Sequence, residues 1–171
     1  LQTSHLWPYH KSTGVWRCPS DKSQVRIGPN RFPRTRSVAM NNRMGSSRSP
    51  TDRYWRYART TEIVAPGPSE IFVLTDERED SINNSIFGIS MTGFDPASPR
   101  NPSARLVDWP GFYHIRAGTF QFADGHIERR QWQDPRTTPP LRKTSWTEWD
   151  FAMPNNSDLY WIQKHAAGVV H

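Results

Sequence analysis

The sequence has very little cysteine: Cys18 alone in 171 residues. An intramolecular disulfide is therefore excluded, and so is a zinc site built on several thiolates. Hydrophobic residues are also scarce, at 35% of the chain. No apolar run approaches the roughly 20 residues needed to span a bilayer. No signal-peptide pattern opens the sequence. It begins at Leu1 rather than Met and reads as a fragment or processed form, from which targeting information would have been cut. Chemical signatures are missing as well. There is no Gly-x-Ser-x-Gly nucleophile elbow, no glycine-rich phosphate loop, no internal repeat and no nucleic-acid motif.

Aromatics offset the shortage of aliphatics. The chain has eight Trp, eight Phe and five Tyr, and each ring buries a large area. A modest core follows, and the length suits one domain over residues 1–171. Fifteen Pro and ten Gly predict many turns and few long helices. The net charge of +6 could attract anionic partners. The arginines, however, are dispersed: Arg31, Arg34, Arg36, Arg43, Arg48, Arg53, Arg56 and Arg59 run through residues 28–60. That stretch reads as a long, solvated basic loop with one strand at Ser37–Met40, and no nucleic-acid partner is expected.

Several local patterns predict elements. Pro8 and Pro19 forbid a long N-terminal helix, and Val15–Cys18 reads as a short strand. Ser69–Asp76 is the strongest strand signal, a β-branched and aromatic run that ends in Asp76, Glu77, Glu79 and Asp80. Gly111–Ile115 and Thr119–Ala123 read as strands joined by a turn at 116–118. Asp124-Gly125 predicts a two-residue type I′ hairpin leading into a strand at His126–Trp132. That register leaves Phe120 opposite Arg129, so a bulge near the turn is expected to re-aim one strand. Ser157–His165 fits a short C-terminal helix capped by Ser157 or Asp158, with Lys164 and His165 near its negative end. The whole predicts an α+β fold dominated by antiparallel sheet.

Three constellations could carry chemistry. His114, Asp124 and His126 form the first. Histidine and carboxylate suit Zn²⁺ or another transition metal, with Asp76 or Glu77 able to complete a set. The plainer reading is that Asp124-Gly125 makes a turn while His114 hydrogen-bonds across the sheet. The second is the acidic group after the strong strand. Its carboxylates could hold Ca²⁺ or act as an acid/base pair, yet a solvated loop partnered by nearby arginine is the plainer reading. The third is the aromatic set Trp7, Tyr9, Trp16, Tyr54, Trp55, Tyr57, Trp109, Phe112, Tyr113, Trp132, Trp146, Trp149 and Trp161. Exposed rings could stack on sugars, but in so lean a chain they are expected to form the core. Cys18 lies in a Cys-Pro turn near Asp21, with no local histidine signature to mark a nucleophile.

Taken in order, the segments VWRCPSD, RTRSVAMNNRMG, IFVLTDE followed by DSIN, His114 with nine residues before Asp124-Gly125, DPRTTPPL and NNSDLYWIQ resemble a known family. It is the type II secretion pseudopilin-like (prepilin-type) family, whose C-terminal signature is His, nine residues, Asp-Gly. The likeness runs from Leu6 to about His165. It implies an antiparallel head laid against an N-terminal hydrophobic helix that anchors in the inner membrane and packs into a filament. This sequence looks like the head alone, so a membrane would be met only through that helix. The likeness also implies a structural divalent ion, Ca²⁺ or another, near Asp76, Glu77 or Asp124. His114, Asp124 and Gly125 would form a structural motif in which His114 locks the strand before the hairpin.

The leading expectation is a non-enzymatic head that works by contact with other pseudopilins, secreted proteins or polysaccharide. It would act in a secretion or pilus-like assembly on the periplasmic side of the bacterial inner membrane or at the cell surface. A head without its helix would expose an apolar stripe and tend to form homo-oligomers. Two alternatives stand beside it. One is a glycosidase or esterase using Asp76, Glu77 or Asp124 as acid/base groups with His114 or His126 assisting. The other is a carbohydrate-binding module built on the aromatics.

Overall fold

A computed structural model describes residues 2–142 and 150–170; Trp146 and Trp149 lie outside the described residues. Proline shapes the N-terminal segment as expected. Helix α1 (Trp7–His10) is a single turn with Pro8 in its first positions. The expected strand at Val15–Cys18 is instead a 3₁₀ turn at Gly14–Trp16. Its backbone meets the sheet through single bonds around Ser37 rather than through a ladder. The Ser37 N–H donates to the Trp16 carbonyl at 2.9 Å, and the Cys18 N–H donates to Ser37 Oγ at 2.8 Å.

Strands β1 (Gln24–Ile27) and β2 (Asn30–Pro33) form a hairpin closed by Gly28-Pro29, with Gly28 at φ +61. The main sheet uses β3 (Val38–Asn41), β4 (Phe72–Asp76), β5 (Ile86–Phe87), β7 (Ala117–Phe122) and β8 (Ile127–Gln131). Its order is β5-β3-β4-β7-β8, antiparallel except for the β5–β3 pair. A small pair, β6 (Arg105–Leu106) with β9 (Phe151–Ala152), lies apart. Helix α2 (Ser157–Ala166) closes the chain. The α+β class with antiparallel dominance is therefore the observed one.

The two sheet faces differ. Ala39, Thr75 and Phe120 pair across β3, β4 and β7 and are buried, as are Phe72 and Phe122. Leu159, Ile162 and Ala166 of α2 belong to the same core. Phe120 meets Phe72 and Trp161 edge-on at centroid distances of 5.0 and 4.9 Å, a geometry favoured by the ring quadrupoles. Of the aromatic set, Tyr54, Tyr57, Trp109 and Trp132 are buried in this core, and Trp55, Phe112 and Trp161 pack against it. Tyr9 and Phe32 are the strongly exposed rings among the described residues.

Residues 28–60 are less solvated than expected. Beyond β2 and β3, the stretch buries Arg43, Tyr54 and Tyr57. The Tyr57 hydroxyl accepts from the Gly168 N–H at 2.9 Å, and the Asn41 amide donates to the Phe72 and Ala166 carbonyls. Two tyrosines and one buried amide thus dock a basic stretch whose composition alone suggested a loop.

Three local expectations are corrected. Gly111–Ile115 is not a strand: Ile115 and Arg116 adopt φ of 57 and 55, which no strand tolerates. The hairpin loop has three residues rather than two. The Phe122 N–H reaches the His126 carbonyl, the Gly125 N–H donates to the Phe122 carbonyl, and of the loop residues only Gly125 has positive φ. This is a type I turn closed by a left-handed glycine, and it places Gln121 opposite Ile127 and Phe120 opposite Glu128. Finally, Asn156 caps α2 by accepting from the Asp158 and Leu159 N–H groups. Asp158, expected as a cap, accepts instead from the Gln133 and Asp134 amides and the Thr137 hydroxyl.

Candidate functional site

The face of the sheet turned away from α2 carries a row that crosses all five strands. Ile86, Met40, Leu74, Gln121 and Ile127 pair in sequence from β5 to β8. Neighbouring strands lie about 4.8 Å apart, so the row is roughly 20 Å long. Ile86 is 48% and Ile127 70% exposed. At the β5–β3–β4 end, Val38, Met40, Leu74 and Ile86 floor a groove of about 340 Å³, with Leu6 and Trp16 as one wall and Arg36 at the rim. Alternation explains the floor. Val38 and Met40 point one way while Ala39 and Asn41 point into the core.

The N-terminal segment that supplies this wall is tied to the end of the same face. Asp76 lies on it, two residues beyond Leu74, and its carboxylate accepts from the Thr119 hydroxyl at 2.5 Å. His114 Nε2 stands 3.4 Å from Asp76 Oδ2 and 3.3 Å from Cys18 Sγ. The three donor atoms all lie within 4.8 Å of one another. Burial pushes the Cys18 thiol and the Asp76 carboxyl above their ordinary values; in Asp76 the Thr119 hydroxyl and His114 oppose the shift. Gly111 makes the close packing possible. Its N–H donates to the Asp76 carbonyl at 2.7 Å, and a Cβ there would sit 2.6 Å from Asp76 Cβ.

The sequence-derived site residues therefore separate. Asp76 and His114 come together, and the group they form includes Cys18, to which no local spacing assigns a role. Asp124 and His126 pair at the exposed hairpin tip, with His126 Nδ1 2.7 Å from Asp124 Oδ1. They lie at the opposite end of the six-residue β7 from His114, about 20 Å away along a strand. Gly125 serves the turn. Glu77 points into the protein, where neither carboxylate oxygen has a hydrogen-bond partner and Arg36 Nη1 is 3.8 Å off. Burial and the neighbouring Asp108 push its carboxyl up to about 8, against the pull of Arg36. Asp80 forms a buried ion pair with Arg78 at 2.7 Å.

No protein family, curated protein or solved structure matches this chain. Among the described residues, Asp76 and His114 meet, whereas Glu77 is buried on its own and Asp124 lies at the hairpin tip. Neither the groove on the bare face nor a second cavity of about 400 Å³ beside α2 is lined by any of them. Cys18, His114 and Asp76 also lack the order of a nucleophilic triad. Such a triad sets thiol and carboxylate on different ring nitrogens, whereas here both approach Nε2. Among the described residues, no helix is long and apolar enough to cross a membrane.

Proposed function

We propose that this domain is the contact head of a pseudopilin-like protein, and that its bare sheet face receives the apolar N-terminal helix of the pilin type. The head would act without catalysis in a secretion or pilus-like assembly on the periplasmic side of the inner membrane. The observation that carries this reading is the paired row from Ile86 to Ile127 on the open face of an otherwise packed sheet. A helix is about 10–12 Å across with its side chains, so a row of roughly 20 Å can seat one with room for a neighbour. The groove floor is apolar, and Arg36 is the charged residue at its rim. The scatter of Asp76, Glu77 and Asp124 supports a contact role over hydrolysis, and the scarcity of strongly exposed rings, Tyr9 and Phe32 among the described residues, supports it over sugar binding.

The test is titration of the chain with a helical peptide carrying a Leu/Val stripe, followed through Trp16 emission against a Trp16→Phe control. Saturable binding is expected. Leu74→Lys should weaken it at least about tenfold, because a buried leucine contributes about 1.5–3 kcal/mol and 1.4 kcal/mol is tenfold. If a second copy fills the face instead, sedimentation will show a dimer that Leu74→Lys abolishes. Equal affinity in both proteins would overturn the reading.

A further inference from the structure

The cluster at the end of the bare face calls for its own explanation. Cys18 and His114 are 96 residues apart, and they meet Asp76 at the end of β4. The Asp76 carboxylate and the backbones of Cys18 and His114 are held in place. The Cys18 N–H donates to Ser37 Oγ, the Thr119 hydroxyl donates to Asp76 Oδ2, and the His114 carbonyl accepts from Arg129. The Thr119 hydroxyl orients the carboxylate as an outer partner of a metal ligand does, and the two backbone bonds fix where the thiol and the ring begin. In a tetrahedral zinc site, with Zn–S near 2.3 Å and Zn–N and Zn–O near 2.0–2.2 Å, neighbouring ligand atoms lie about 3.3–3.6 Å apart. The two distances that converge on His114 Nε2, 3.3 and 3.4 Å, match that spacing.

We propose that Cys18, Asp76 and His114 bind a zinc ion that clips the N-terminal segment to the sheet. A thiolate, an imidazole and a carboxylate suit Zn²⁺ rather than Ca²⁺, which takes six to eight oxygens. Two donors facing one ring nitrogen are what a shared ion requires, and they are unsuited to passing a proton from thiol to carboxylate. Binding releases the Cys18 thiol proton, so affinity falls as pH falls. The clip fixes the segment that carries Trp16 and Leu6, and so fixes the groove wall. The inference does not depend on what the groove receives.

The experiment uses the chelator-stripped, reduced chain, titrated with Zn²⁺ by calorimetry and with Co²⁺ by absorption. One ion per chain is expected, with a thiolate-to-cobalt charge-transfer band in the near ultraviolet. Cys18→Ser should abolish the band. It should also weaken Zn²⁺ binding by more than the roughly 10–100-fold typical of an outer-shell change, and Thr119→Val should fall within that range. His126→Ala, at the distant hairpin, should leave binding unchanged. A cobalt complex without the band, no stoichiometric Zn²⁺ binding, or full affinity in Cys18→Ser overturns the proposal. The cobalt spectrum of the unaltered chain decides the matter even where a variant fails to fold.

Discussion

Asp108 is buried, and its Oδ1 has no hydrogen-bond partner. Its Oδ2 accepts from the Gly88 N–H at 2.6 Å. Burial pushes its carboxyl from 3.8 up to about 6, against the Gly88 bond. A raised value means that the folded chain holds this proton more tightly than the unfolded chain does. The resulting stability is fully present below pH 3.8 and is lost as pH rises through about 6. At about 1.4 kcal/mol per pH unit, a shift of this size amounts to at most about 3 kcal/mol. Asp108→Asn keeps the shape and an acceptor for Gly88 but cannot titrate. Relative to wild type, the variant should therefore gain up to about 3 kcal/mol between pH 4 and pH 8. Urea unfolding of both proteins at pH 4, 5, 6, 7 and 8, with unchanged m-values, reads this difference directly. The intrinsic fit of the amide is the same at every pH and cancels, while relief of Glu77 from the Asp108 charge adds to the gain in the same direction. Stability curves that stay parallel from pH 4 to 8 would refute the reasoning.

Other substitutions probe the packing. Gly111→Ala sets a methyl 2.6 Å from Asp76 Cβ and 3.3 Å from the Asp76 backbone, and overpacking of this kind costs about 1–3 kcal/mol; a urea midpoint equal to wild type would show that the strand end yields freely. Asn156→Ala removes the acceptor for the Asp158 and Leu159 amides, so a loss of about 0.5–2 kcal/mol is expected. That loss should come with faster amide exchange in the first turn of α2.

The sequence was most informative where local pattern and tertiary packing agree. The run expected at Ser69–Asp76 became β4 from Phe72 onward, after a 3₁₀ turn at Pro68–Glu70, and Ser157–His165 became α2, which runs on to Ala166, because each has one face that the core accepts. The hairpin was placed correctly at Asp124-Gly125, but its register depended on whether one or two loop residues take positive φ. The observed register puts Trp132 on the core side of β8 against Phe120, whereas the shorter loop would turn it outward. The strand expected at Gly111–Ile115 failed because Gly111 packs against Asp76 and the chain then turns through Ile115 and Arg116. Cys18 was passed over for a different reason. Its partners, Asp76 and His114, are long-range contacts, and no local spacing encodes them. A signal existed in that all three fall within segments quoted for the family resemblance, but nothing in their spacing says that they meet. The bare face was not legible: a strand was expected at Ser37–Met40, but the row through Leu74 and Gln121 to Ile127 requires the register.

The most direct test of the account is amide exchange across the sheet, measured with and without an equimolar apolar helical peptide. The account predicts added protection in residues 3–6, β3, β4 and β5, which border the groove, and none in the β1–β2 hairpin. Unchanged exchange at β3 and β5, or protection centred on the cavity beside α2, would contradict it.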